Sequence, residues 1–202
     1  ITSADQLWDQ KEVIELLATD APLIRPANYP QGTPGQGSLV LRKQGLAPVG
    51  VLNLQGRTFM PALENPFSVA TVEVQRLRKE TPIIFVDMHA EATSEKVALA
   101  RMLDGTVSAV VGTHTHVQTA DARVLPGGTA FLSDVGMVGS HNSVLGRDVP
   151  DVVRKFRTGM PTRLNVTETN IRLDYAVVSY ELETGRAVAI RAASEFFTPE
   201  TL

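Results

Sequence analysis

Apolar positions along this chain of 202 residues follow a helical period in some stretches and a strand period in others. Val13, Leu16 and Leu17 share one helical face, and Asp9 followed by Glu12 reads as a capping box, so a helix is predicted to run to about Ala18. Residues 22–38 hold four prolines and three glycines, which predicts a loop. A short apolar run over residues 47–54 has strand length. Asn65-Pro66, a cap followed by a first-turn proline, starts a helix expected to reach about Lys79. Residues 82–87, PIIFVD, read as a buried strand. Thr93 or Ser94 then caps a helix that aligns Val97, Ala100 and Leu103, and residues 107–111 form the next strand. Strands alternating with helices predict a mostly parallel sheet covered by helices.

After Val117 the pattern changes. Residues 122–134, ARVLPGGTAFLSD, are two short runs joined by Pro126-Gly127-Gly128, a hairpin. Residues 149–157 read as a short helix. Residues 172–196 alternate as a half-exposed hairpin turning at Glu183-Thr184-Gly185. The expected fold class is therefore α/β with an antiparallel second part, in a single domain over residues 1–202.

Composition narrows the function classes. A hydrophobic fraction of 43% with 20% charged residues is that of a soluble globular protein. A net charge of −3 argues against an extended nucleic-acid-binding face. No apolar run approaches the ~18 residues a membrane span needs, and no basic-then-apolar start is visible, so no membrane partner is expected and the expected location is cytoplasmic. A homo-oligomer stays open. The chain opens at Ile1-Thr2-Ser3 without an initiator Met and reads like the middle of a protein. Cysteine is absent, which excludes disulfides, thiolate metal ligands and a cysteine nucleophile. A transition-metal site would have to use His with Asp, Glu or Asn, a set suited to Mn, Fe, Zn or Ni.

Three of the four histidines fall where such a site would be built. His89 follows the 82–87 strand in FVDMHAEA; His114 and His116 follow the 107–111 strand in VVGTHTHV. Ligands in open α/β sheets gather outside the carboxyl ends of the strands. If residues 114–116 stay extended, His114 and His116 point to one side, a chelating arrangement. Asp87 shares a side with His89 and is either a ligand or the support of one; a solvated strand-end Asp is the alternative. His141, in VGSHNS, reads as a surface or substrate-side residue. Arg25 in LIRPANYP and Arg57 in LQGRTFMP could each pair with phosphate bidentately, or could serve only their own loops by bonding carbonyls.

The blocks VDMHAEATSEK, VVGTHTHVQTAD, GGTAFLSDVGM and RPANYPQGTPG resemble the YmdB-like metallophosphoesterases, a bacterial branch of the calcineurin-like fold, in an order and spacing that hold across nearly the whole chain. The resemblance implies a four-layer αββα sandwich and a two-metal centre of divalent transition ions. It implies cleavage of small phosphodiesters, with 2′,3′-cyclic nucleotides as the associated substrate class. It makes His89, His114 and His116 metal ligands. The family's first βαβ region, with an Asp and a Glu-Asn pair, would lie ahead of Ile1, so the expected fold is N-terminally incomplete. Where the family reads Gly-Asn-His before Trp-Asp, this chain reads Ala4-Asp5-Gln6 before Leu7-Trp8-Asp9. Asp5 thus stands at a metal-bridging Asn, and a carboxylate can bridge. Gln6 stands at the catalytic His beside the scissile phosphate, where an amide can hydrogen-bond but cannot donate a proton as an acid. Two rivals stay open: a catalytically impaired metal- or nucleotide-binding regulatory pseudoenzyme, and a structural domain with solvated histidines.

Overall fold

The computed structural model describes residues 1–5, 7–9 and 11–197. A 3₁₀ turn at Leu7–Asp9 leads into α1 (Glu12–Leu17). There follow β1 (Ser38–Leu41), β2 (Val49–Gln55), α2 (Pro66–Leu77), β3 (Ile84–His89), α3 (Thr93–Met102) and β4 (Ala109–Thr113). The second part holds β5 (Arg123–Val124), β6 (Ala130–Leu132), β7 (Val138–Ser140), α4 (Val149–Thr158), β8 (Ile171–Tyr180) and β9 (Ala187–Phe196).

The strands form a six-stranded sheet in the order β1-β2-β3-β4-β6-β5 and a three-stranded sheet in the order β7-β8-β9. From β2 through β3 and β4 to β6 the pairing is parallel; β5 closes the edge as one arm of the expected hairpin. Both crossover helices lie on one face. Ala70, Val74 and Leu77 of α2 and Leu99 and Ala100 of α3 pack on Leu52, Leu54, Val86, Met88, Val110 and Phe131 in one buried core.

The opposite face meets the smaller sheet through small residues. Ala109, Ala130 and Ala187 are buried there, with Phe85, Val111, Val178 and Ile190 packed around them. Phe85 and Tyr180 meet edge to face at 5.8 Å between ring centroids. A helical layer, the large sheet and the small sheet are thus three successive layers of the expected sandwich. The outer face of the small sheet keeps Leu173 and Val177 exposed among the described residues.

Local signals held at some element ends and failed at others. Asn65 caps α2 as expected, accepting the Phe67 N–H at 3.0 Å, with Pro66 in the first turn. The capping box expected at Asp9 does not form the start of α1: the cap position is Lys11, because residues 7–9 already close a separate 3₁₀ turn. Neither Thr93 nor Ser94 caps α3. Ala92 stands at the cap with no side-chain bond, and the Glu95 carboxylate of the first turn instead accepts the Arg57 and Thr58 N–H groups.

Glycine is required at one position in β4. A Cβ on Gly112 would stand 1.7 Å from the Ser133 carbonyl oxygen and 2.8 Å from Lys96 Cδ. The strand is bare there so that the segment after β6 can close against it. Gly112→Ala should therefore cost about 1–3 kcal/mol or more through forced displacement of that segment, measured as a fall in the urea unfolding midpoint. An unchanged midpoint would show that the segment moves aside freely.

Candidate metal centre

Side chains alternate along each strand, so the face of the sheet turned away from the helices carries Asn53 and Gln55 on β2, Asp87 and His89 on β3, and Val111 and Thr113 on β4. In register, Gln55 pairs with His89 and His89 with Thr113, at the carboxyl ends of the strands. A cavity of about 380 Å³ opens over this edge, and Asp87, His89, Thr113, His114 and His116 all line it.

Asp5, His89 and His114 form the candidate donor group: one atom from each lies within 4.8 Å of the other two. His89 Nε2 is 3.1 Å from Asp5 Oδ1 and 3.1 Å from His114 Nδ1. The two imidazoles stand edge to face with centroids 4.8 Å apart. A tetrahedral ion with 2.0–2.1 Å bonds has ligand–ligand edges of about 3.3–3.4 Å, so three donors converging at these separations, two imidazoles and a carboxylate, suit a borderline divalent transition ion.

Supporting bonds surround His89 Nδ1. The Thr113 hydroxyl donates to Asp87 Oδ1 at 2.8 Å, which leaves its oxygen to accept from His89 Nδ1 at 2.9 Å. In the tautomer with its proton on Nδ1, His89 turns the Nε2 lone pair toward Asp5 and His114. On the far side of His114, Nε2 lies 3.2 Å from Glu91 Oε2, which turns its Nδ1 toward the group.

Burial sets the electrostatics. It pushes the Asp87 carboxyl above the usual carboxylate range; the Thr2 and Thr113 hydroxyls pull it back, Asp134 adds repulsion and Lys96 opposes it. Burial likewise holds the His89 imidazole below the usual histidine range, assisted by His114 and Lys96 against the opposing pull of Asp5. A neutral imidazole is the form that binds metal.

A family model described as YmdB-like protein matches residues 1–193. The chain belongs to the YmdB-like family. It is 47% identical over 190 residues to a Bacillus subtilis (strain 168) protein named 2′,3′-cyclic-nucleotide 2′-phosphodiesterase, covering 94% of this chain and 72% of that one. A crystal structure of a hypothetical protein from Thermus thermophilus superposes with a TM-score of 0.87 at 41% identity, covering 96% of this chain and 75% of that one. A phosphatase structure from Mycoplasma pneumoniae gives a TM-score of 0.87 at 32% identity, covering 97% and 71%. The α/β sandwich is thus of the metallophosphoesterase type.

In this YmdB-like chain several expectations need correction. Residues 114–116 are not extended: His114 has φ 108° and His116 φ 63°, so the chain bends at both, and His116 lines the cavity wall outside the three-donor group. Arg25 does not line the cavity. Its guanidinium is spent on its own loop, with Nε on Pro34 O at 3.0 Å, Nη1 on Pro26 O at 2.8 Å and Nη2 on Thr33 O at 3.2 Å. Arg57 is exposed away from the cavity lining, and its main-chain N–H is the group held by Glu95. His141 bonds Arg172 at 2.8 Å and packs on Phe196. Gln6 lies outside the described residues. Sequence reasoning passed over Thr113, Glu91, Lys96 and Asp134. Glu91 stood two residues beyond His89 in the same block, a signal open to being read.

The depressed His89 pKa has a testable sign. As pH falls through the ordinary histidine range near ~6.5, the unfolded chain takes up this proton before the folded chain does. The stability that neutral His89 confers is present above that range and is lost as pH falls toward the folded value. Urea unfolding at about pH 7.5 and about pH 5 should show less acid destabilisation in His89→Asn than in the parent. Equal losses in the two would assign the effect to other groups.

Proposed function

We propose that this chain is a metal-dependent phosphodiesterase acting on small phosphodiesters, with 2′,3′-cyclic nucleotides as its substrate class. The observation that carries this reading is the convergence of His89 Nε2, His114 Nδ1 and the Asp5 carboxylate at the carboxyl edge of a parallel sheet, beside a cavity that both imidazoles line. The name of the Bacillus subtilis relative supports the substrate class.

The donors suit Mn, Fe, Zn or Ni, and the family resemblance supports a pair of ions. Such ions, when bound, supply Lewis acidity toward a phosphoryl oxygen and a water acidified for in-line attack. The chain's own residues hold and aim them. Thr113, backed by Asp87, offers an acceptor for a proton on His89 Nδ1, the tautomer that leaves Nε2 to ligate. Glu91 orients His114 from behind. Asp5 brings a carboxylate, which can bridge two ions as the family's Asn does. His116, in the wall of the same cavity, is the remaining imidazole donor. The burial that depresses the His89 pKa keeps that ligand neutral at physiological pH.

Protein prepared without chelators should carry about one transition ion per chain or more by elemental analysis, and with Mn should open 2′,3′-cyclic AMP. His114→Ala should lower metal affinity by about 10-fold or more, whereas His141→Ala, whose ring is engaged with Arg172, should leave it unchanged. Protein that takes up no metal and gains no thermal stability on addition of Mn or Zn would sink the reading; metal uptake without hydrolysis would favour a binding module.

A further inference from the structure

A buried ion pair lies beneath the metal centre and supplies none of its donors. Lys96, from α3, is 0% exposed, and its Nζ lies 2.9 Å from Asp134 Oδ2. Asp134, 1% exposed, follows β6. The same Oδ2 accepts the Thr115 N–H at 3.0 Å, and Oδ1 accepts the Gly136 N–H at 3.0 Å. The Asp134 main chain is itself pinned: its N–H donates to Thr119 Oγ1 at 2.9 Å, and its carbonyl accepts the Thr119 N–H at 3.1 Å.

Thr115 is the residue between His114 and His116, both of which occupy the left-handed region that favours glycine. Non-glycine residues persist there when the surroundings over-determine them. The Asp134 carboxylate is such a surrounding, because it grips the peptide between the two. A carboxylate accepting N–H groups makes charge-assisted bonds, stronger than those of a neutral acceptor. Buried without a cation it would be costly to keep ionised, and Lys96 is that cation. Bare Gly112 lets both the Lys96 stem and the Ser133 carbonyl close against β4.

We infer that Lys96 and Asp134 are positioning residues of the metal centre: through the Thr115 N–H, the ion pair holds the bent backbone from which His114 and His116 face the cavity. This inference rests on the metal reading above. A role confined to core stability differs in one respect. A pair of apolar residues of similar volume often replaces a buried ion pair without loss of stability, but it cannot hold the Thr115 peptide.

The test is titration of the chain with Co²⁺ alone, read by its visible absorption bands, in the parent, in Lys96→Met/Asp134→Leu and in Asp134→Asn. Far-UV circular dichroism and thermal unfolding report the fold of each. The folded double variant should bind Co²⁺ about 10–100-fold more weakly, with shifted bands. Asp134→Asn, which keeps one acceptor oxygen for two N–H groups, should fall between it and the parent. A folded double variant with the parent's affinity and bands overturns the inference. If that variant does not fold, Asp134→Asn decides alone, and parent-like binding in it overturns the inference. A parent chain that takes up no Co²⁺ overturns the metal reading itself and this inference with it.

Discussion

Everything at the candidate metal centre depends on the register of three parallel strands. Parallel pairing ends β2, β3 and β4 at one edge and sets Gln55, His89 and Thr113 side by side there. With α2 and α3 both on one face, this edge of the sheet divides into an apolar side and a polar side. A slip of one residue in β3 would exchange the two, sending His89 into the helix-side core and Met88, which is 0% exposed, into the cavity. The apolar packing of Val86 and Met88 against the helices is therefore what aims Asp87 and His89. The hydrophobic core fixes the chemistry without touching it.

That division has a cost on the polar side. Asn53 and Gln55 are buried, and Asn53 Oδ1, both amide atoms of Gln55 and Ser3 Oγ find no partner among the described residues. Most buried polar groups in folded proteins are paired. Part of the load is met locally: the Asn28 amide accepts the Gln55 N–H at 2.9 Å and donates to its carbonyl at 2.8 Å, completing the main chain where β2 ends. The side chains of the row remain polar along the edge that carries the candidate site, and sites are where local rules are broken at the expense of stability.

The sequence made the framework legible and the support hidden. Apolar runs of strand length and the Asn65-Pro66 cap located β2, β3, β4, α2 and α3 because periodicity reflects burial on one face. The histidines were visible as chemistry because one strand ends at His89 and another ends just before His114. The bend at residues 114–116 was not, since alternation arguments assume an extended chain and neither position is glycine. Lys96 was hidden for a different reason. A lysine in a helix is ordinarily solvated, and only the fold shows that its partner comes from a segment 38 residues later. Strand β7 and the short β1 escaped notice because three and four residues carry too little pattern to stand out from loops.

The residue types in the bend explain why such support is needed at all. Glycine at positions 114 and 116 would adopt the observed φ values without steric cost, but it would bring no donor to the cavity. An imidazole at each position brings a nitrogen-bearing ring to the cavity and accepts the strain. Conformation and chemistry therefore make opposed demands on the same two residues. The conflict is met from outside the bend, by a carboxylate fixed in its own loop and by a cation from the helix layer. This couples three parts of the fold. The helix layer contributes Lys96, the segment after β6 contributes Asp134, and β4 contributes the bare backbone at Gly112 that lets them meet. The histidines are placed by packing decided elsewhere in the molecule, which is why their spacing in the sequence shows a site and not its geometry.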